Sequence, residues 1–170
     1  MTRLRFVMPV VSVAVLTIVA ILPWGMAADD RFVLPLLPIV AIYYWTLDLD
    51  AWLPEWVIFL AGLMLDVLTQ GPLGYWALVY LVAYVCAVYA SRLDVEGTAK
   101  TLVLFAGAIV SVTVFAWFVA SFYFLESLDF RPYARGAGFA VVAAVIVTLA
   151  FGAFGTAGKS VRPVRLTRGD

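Results

Sequence analysis

The feature that most constrains this chain is a series of long apolar runs without charged residues. Residues 6–24, 101–125 and 136–158 are three such runs, and residues 72–91 form a fourth that is rich in Tyr and Trp. A helix needs about 20 predominantly apolar residues to cross the hydrocarbon core of a bilayer. The 170 residues are 65% hydrophobic and 13% charged, which leaves too little polar surface to coat a water-soluble globule. The sequence therefore predicts an all-α membrane protein that forms a single integral membrane domain.

Two shorter apolar runs, residues 32–47 and 56–69, flank an acidic turn that contains Asp48, Asp50 and Glu55. Each run is short for a full crossing. They predict either two further spans in a locally thinned bilayer or a re-entrant helical hairpin covered by the other helices. We favour two spans, because the apolar density of these runs matches that of the others. The predicted fold is thus a bundle of six transmembrane helices.

The distribution of Lys and Arg predicts the orientation of these spans, because cytoplasmic loops are enriched in both residues. The first run exceeds the ~7–15-residue core of a signal peptide, so we expect it to be retained as a span. With both termini cytoplasmic, eight of the eleven basic residues lie on the cytoplasmic side. Residues 159–170 then form a basic cytoplasmic tail that contacts anionic lipid or, alternatively, a cytoplasmic partner.

Several classes of site are excluded by residue types that the chain lacks. It contains no histidine and one cysteine, Cys86, so the usual Cys/His zinc site and a histidine base are both excluded. An intramembrane enzyme would need paired carboxylates or an activated nucleophile, and Asp66 stands alone in its run. We therefore expect no catalytic residue, no metal, no cofactor and no nucleic-acid partner.

Asp66 is the residue that most needs explaining, because a charge inside an apolar span is costly and rarely lacks a role. It follows Gly62 by four residues, so both lie on one helical face, where Gly62 permits close approach of another helix. We interpret Asp66 as a structural group that bonds across this contact or caps the backbone of the Gly71–Pro72 turn. The alternative is a proton or solute site, although no relay of ionisable groups is visible nearby.

The segment that follows Asp66 reads as a tight turn leading into an aromatic helix. Pro72 is placed to start that helix, and the turn ends at Gly74. A tight connection between spans is the simpler interpretation, and a partner-binding turn is the alternative. Trp76, Tyr80 and Tyr84 then share one helical face, which is typical of core packing; the alternative is a ligand cage.

Small residues recur at every fourth position of the last run. Such a stripe lets the backbone of a neighbouring helix approach closely. It predicts either an internal contact, against span one or span five, or a docking face for another membrane protein, and both alternatives stay open. The stripe comprises Gly136, Ala140, Ala144, Thr148, Gly152 and Thr156.

Residues 31–90 also resemble the MreD family, the integral membrane component of the bacterial rod-shape (elongation) machinery. The resemblance rests on a set of short motifs in a fixed order. None is specific alone, but the order and spacing are, in a chain of this size and topology. The motifs are Pro35, then Tyr44–Trp45, then Gly62 with Asp66, then Leu73–Gly74, and finally Ala77–Leu78.

The resemblance implies a non-catalytic scaffold that couples the MreB cytoskeleton and MreC to peptidoglycan synthesis. It implies MreC as a partner, with MreB, RodA and a penicillin-binding transpeptidase in the same complex and membrane lipid around it. The residues expected to have structural or partner-binding roles are Gly62, Asp66, Gly71, Pro72, Gly74, Tyr44 and Trp45.

The MreD family is also similar in architecture to the six-helix substrate-binding components of energy-coupling-factor vitamin transporters. The alternative function is therefore a small-solute-binding membrane component of a transporter. That alternative predicts a polar ligand cavity and an Ala-x-x-x-Ala motif on the first helix. Span one contains Ala14 and Ala20 but no such pair, and inward-facing polar residues are few.

Overall fold

The computed structural model describes residues 4–22, 25, 32–48, 51–93 and 98–158, with side chains described at 7–22, 25, 32–48, 51–93 and 99–148. The described ranges contain six α-helices and no strand, which confirms the all-α prediction. The basic tail predicted at residues 159–170 lies outside them. The helices are α1 (Leu4–Ile21), α2 (Leu37–Leu47), α3 (Glu55–Thr69), α4 (Tyr75–Ser91), α5 (Thr98–Phe124) and α6 (Arg131–Gly158).

Helix boundaries follow local signals in the chain. A 3₁₀ turn, Leu34–Leu36, leads into α2, and Pro38 is accommodated in the first turn of that helix, where its missing N–H costs little. α3 follows Pro54, which is extended, and ends at Gln70, which adopts a left-handed conformation with φ 55°. The two short helices therefore lie where the two short apolar runs predict them. Prolines mark where both helices begin, and Gln70 marks where α3 ends.

The start of α4 differs from the prediction that Pro72 begins this helix. Gly74 is the N-cap residue, with φ at 90°, and the helix begins at Tyr75. A residue with positive φ cannot continue into a right-handed helix, so the helix cannot begin before Gly74. Pro72 instead lies within the turn, where its carbonyl accepts a hydrogen bond from the Tyr75 N–H at 3.1 Å.

The helices pack as a bundle around α4. α3 and α4 form the most extensive pair, α2 packs on α4, α1 covers α2 and α3, and α5 lies between α4 and α6. Much of the core is made by α2, the 3₁₀ turn before it and α4, where aromatic and aliphatic side chains are excluded from the surface. Those that are wholly buried include Leu36, Ile42, Val79, Tyr80 and Ala87.

The outer surface of the bundle is strongly apolar. Along α1, Val7, Val11 and Val15 follow one another at one-turn spacing, and each is about half exposed. Comparable exposed side chains lie on α3, α5 and α6. A water-soluble monomer rarely exposes apolar patches of this extent, whereas lipid contact accounts for them.

Length and hydropathy separate α5 from the other helices. Among the described residues, the stretch Ala99–Phe124 is the one helical segment both long and apolar enough to meet the criteria for crossing a membrane. Val7–Ile21, Leu34–Leu47 and Tyr75–Ser91 are apolar but shorter. A helix therefore lies over each of the six predicted runs, but only the helix over residues 101–125 has, within the described residues, the length and hydropathy of a membrane span.

The small-residue stripe of α6 faces into the bundle over its described part. Ala140 and Ala144 are fully buried. A Cβ on Gly136 would stand 2.7 Å from the Leu36 side chain, just before α2. Of the two alternatives for this stripe, the structure gives the internal contact, made with the segment at the start of α2. α5, one of the two helices expected as a partner, makes the most extensive pair with α6.

Candidate functional site

A close backbone contact joins α3 to the first turn of α4 at Gly62. A Cβ placed on Gly62 would lie 2.4 Å from the Cα of Ala77 and 2.7 Å from the carbonyl carbon of Trp76. Ordinary carbon contacts are about 3.5–4.0 Å, so only a glycine leaves room for this approach. The atoms in the way belong to the α4 backbone and cannot move as a flexible side chain would.

One turn further along the same face of α3, Asp66 accepts hydrogen bonds from the beginning of α4. The Gly74 N–H donates to Oδ2 at 2.9 Å and the Trp76 N–H donates to Oδ1 at 2.9 Å. The Ala77 N–H donates to Oδ2 at 3.4 Å. The first N–H groups of a helix have no partner within the helix, and Gly74 has no side chain to cap them. Asp66 therefore caps α4 from a neighbouring helix.

The position of Asp66 is favourable in charge as well as in hydrogen bonding. The residue is wholly buried, at 0% exposure. The beginning of a helix carries a partial positive charge, which stabilises a nearby carboxylate. Because Gly62 has no side chain, the two helices can come within bonding distance, so Gly62 and Asp66 form one structural unit. We name these two residues, with the first turn of α4, the α3–α4 clasp.

The turn within the clasp is held by backbone geometry. The main-chain carbonyl of Asp66 accepts from the Gly71 N–H at 3.0 Å, which closes the end of α3. Gln70 and Gly74 both have positive φ, and the chain reverses direction over the five residues 70–74. The predicted turn is thus bonded to Asp66 at Gly71, through the main chain, and at Gly74, through the carboxylate, which also bonds across the helix contact to α4.

Tyr44 and Trp45 lie away from the clasp and tie α2 to two other helices. The Tyr44 hydroxyl donates to the carbonyl of Ala144 on α6 at 3.3 Å and also contacts the Thr148 hydroxyl. The Trp45 indole N–H donates to the Ser12 hydroxyl on α1 at 2.7 Å. The structure therefore divides the predicted site residues into two groups, the clasp and this α2 pair.

The aromatic face of α4 is used for packing between helices. Tyr80 is wholly buried, and its hydroxyl donates to the Pro35 carbonyl at 2.8 Å. The Tyr84 hydroxyl donates to Glu55 at 3.0 Å, and Trp76 packs against Phe32 with ring centroids 5.1 Å apart. Since the Asp66 carboxylate and both hydroxyls have protein partners, this face is occupied by contacts within the bundle.

Sequence patterns do not single out two of the residues that contact the predicted site residues. The sequence marks Ala77, which contacts Gly62, only as part of a motif, and it does not mark Ser12, which binds Trp45. A small residue at position 77, next to Trp76, is the signal that could have identified the contact. No group of three or more His, Cys, Asp or Glu side chains suited to a metal ion occurs in the part of the chain that the structure describes.

The chain can now be compared with known proteins. No curated protein and no solved structure matches the chain. The sequence does match one family, described as rod shape-determining protein MreD, over residues 1–153. That range includes all six helices up to the last turn of α6. The chain therefore belongs to the MreD family of membrane proteins that determine rod shape.

Proposed function

We propose that this protein is a non-catalytic inner-membrane scaffold of the bacterial elongation machinery. In this role it couples MreB and MreC to peptidoglycan synthesis, in a complex with RodA and a penicillin-binding transpeptidase. The observation that carries the proposal is the family match over residues 1–153. The clasp supports it, because the one carboxylate buried among the described residues is engaged by three backbone N–H groups. A carboxylate held in this way organises the bundle.

The proposed topology has six crossings with both termini cytoplasmic. The distribution of Lys and Arg supports it, because Arg92 at the end of α4 and Lys100 at the start of α5 then face the cytoplasm. The acidic segment between α2 and α3 lies on the same side. α3 and α4, joined by the clasp, present a rigid hairpin whose outward face meets the single span of MreC.

The alternative, a vitamin-type solute-binding component of a transporter, draws no support from the aromatic face of α4. In that alternative, Asp66 and the Tyr80–Tyr84 face would line the solute site. The Tyr80 hydroxyl donates to a backbone carbonyl, the Tyr84 hydroxyl donates to Glu55, and Asp66 caps α4. A solute would have to displace these bonds before it could bind there.

A pull-down of the tagged chain from its native membrane in a gentle detergent tests the proposal. We expect MreC, RodA or the transpeptidase to be retained. Recovery of a transmembrane coupling subunit with ATPase subunits would overturn the scaffold assignment in favour of the transporter.

The same experiment on Gly62→Leu tests the role of the clasp in assembly. A leucine side chain cannot fit against the Ala77 backbone, so α4 must move away and the hairpin that meets MreC changes shape. We expect the complex to be lost. Gly107→Leu is the matched control for bulk, because a Cβ on Gly107 meets no atom within 4 Å. An unchanged complex yield for Gly62→Leu would contradict the packing argument.

A further inference from the structure

The outer face of α3 is an apolar surface that is short for a membrane. Its side chains follow the helical repeat, and each is 42–58% exposed. Exposed polar residues bound this face, with Glu55 before it and Thr69 and Gln70 after it. The 15 residues of α3 give a length of about 22 Å at about 1.5 Å per residue, whereas the hydrocarbon core is about 30 Å thick. The outer face consists of Trp56, Phe59, Leu60, Met64, Val67 and Leu68.

Hydrogen bonds near both ends of α3 fix its position along α4. Toward the end of α3, Asp66 accepts from the Trp76 N–H at 2.9 Å, in the first turn of α4. At the beginning of α3, Glu55 accepts from the Tyr84 hydroxyl at 3.0 Å. α4 continues for seven residues beyond Tyr84, about 10 Å, before it ends at Ser91. α3 therefore begins well inside the level at which α4 ends.

α5 extends much further than α3 along the bundle. Both helices pack on α4, and within the described residues they form no extensive pair with each other. The apolar segment Ala99–Phe124 has 26 residues, about 39 Å of helix. Tyr75, the first residue of α4, donates to the Ala116 carbonyl at 3.1 Å, which leaves eight residues of α5, about 12 Å, beyond this contact. Residues 122–124 point about 100° apart yet are each more than half exposed, so the end of α5 stands clear of the bundle.

We propose that the α3 side of the bundle thins the bilayer and selects phospholipids with short acyl chains. A span shorter than the hydrocarbon core is accommodated by thinning, by snorkelling of flanking residues or by oligomerisation. Snorkelling is restricted here, because the Glu55 side chain is bonded to Tyr84. Short acyl chains reduce the mismatch of about 8 Å at α3, whereas α5 matches the full core. The proposal rests on the topology proposed above, in which α3 crosses the bilayer, and it applies to the protein before a partner covers the hairpin.

The test measures which lipids surround each side of the full-length chain in vesicles. A bimane label on a single cysteine reports nearby lipid, because phosphatidylcholine that carries a nitroxide quenches its fluorescence. The label is placed on α3 by Leu60→Cys or on α5 by Val114→Cys, both about half exposed, in a Cys86→Ser background. The vesicles contain equal amounts of dimyristoleoyl (short-chain) and dierucoyl (long-chain) phosphatidylcholine, and the nitroxide is carried by one or the other.

The result is expressed as the ratio of short-chain to long-chain quenching at each label. We expect this ratio to be about two- to five-fold higher at Leu60→Cys than at Val114→Cys, because mismatch has a modest cost per ångström. Equal ratios at the two labels would overturn the proposal. Protection of Leu60→Cys from both lipids would also overturn it, in favour of a second copy of the chain that covers α3.

Glu55→Leu tests whether the length of the apolar face sets this preference. Residues 51–54 are apolar, so removing the charge of Glu55 joins them to the outer face of α3. The short-chain preference at Leu60→Cys should then fall. Tyr84→Phe is the matched control, because it removes the same hydrogen bond but keeps the charge, and it should retain the preference. An unchanged preference in Glu55→Leu would contradict the assignment.

The accessibility of the two ends of α3 separates the lipid proposal from the proposed topology and function. Trp52→Cys and Leu73→Cys place thiols at exposed positions before and after α3. A membrane-impermeant maleimide should reach these two thiols from opposite sides of sealed vesicles. Reaction from the same side would overturn both the crossing of α3 and the lipid proposal. The pull-down of partners does not depend on acyl-chain length, so failure of the lipid proposal alone leaves the scaffold assignment standing.

Discussion

Replacing Gly62 with alanine is the most direct test of the clasp. The added methyl group would stand 2.4 Å from the Cα of Ala77 and 2.5 Å from its nitrogen. Because carbon contacts settle at about 3.5–4.0 Å, α4 must retreat by about 1 Å. The same movement stretches the bonds from Gly74 and Trp76 to Asp66, now 2.9 Å, to nearly 4 Å. At that length they no longer count as hydrogen bonds.

The expected cost adds a packing contribution to the loss of these bonds. Overpacking a close contact costs about 1–3 kcal/mol. Hydrogen bonds to a charged group contribute about 1.5–3 kcal/mol each in water-soluble proteins, but polar interactions between membrane helices average nearer about 0.6 kcal/mol. We therefore expect Gly62→Ala to lower the free energy of unfolding by about 2–5 kcal/mol. Titration with a denaturing detergent, followed by tryptophan fluorescence, measures this change.

Gly107→Ala is the control for the helix propensity of alanine. A Cβ on Gly107 meets nothing within 4 Å, and in a helix interior alanine is favoured over glycine by about 1 kcal/mol. This variant should unfold at the same free energy as wild type or a slightly higher one. If Gly62→Ala instead lay within about 0.5 kcal/mol of Gly107→Ala, the close backbone contact described for the clasp would be refuted.

Two further substitutions test buried hydrogen bonds by the same titration. Asp66→Asn keeps the shape of the side chain but turns an amide donor toward a backbone donor, so we expect the free energy of unfolding to fall by about 1–3 kcal/mol. The control, Glu126→Gln, removes an exposed charge and should leave the free energy of unfolding unchanged. Equal effects of the two substitutions would contradict the capping role of Asp66. Tyr80→Phe removes the bond to the Pro35 carbonyl and should cost about 1 kcal/mol, whereas Tyr89→Phe, at a side chain 65% exposed, should change stability by less than about 0.5 kcal/mol. A Tyr80→Phe variant as stable as Tyr89→Phe would show that the buried bond contributes nothing.

The sequence predicts the helices well because lipid contact requires continuous apolar runs, and these end at charged residues, prolines and glycines that can be read directly. It also predicts that Gly62 and Asp66 share a face, since their spacing alone decides this. It does not predict what that face meets. The backbone donors that Asp66 accepts lie beyond a turn whose geometry depends on the positive φ of Gly74, and no local pattern marks the start of α4 at Tyr75.

Tyr43 illustrates a different limit of sequence reasoning. Its neighbour Tyr44 has the same side chain, yet one hydroxyl is bonded to α6 and the other is buried without a partner among the described residues. Adjacent residues on a helix point about 100° apart, so their surroundings differ completely. Only the packing of α4 and α5 around α2 distinguishes them.

The capping of α4 by Asp66 changes the expected free energy of inserting α3 and α4 into a bilayer. Considered separately, α3 has 15 residues and carries a carboxylate near its end, which is costly within a bilayer, and α4 begins with N–H groups that lipid cannot satisfy. Considered together, each helix removes the main penalty of the other. In the proposed topology, the thermodynamic unit that partitions from water into lipid is therefore the hairpin, and hydropathy summed over either helix alone understates its affinity for the membrane.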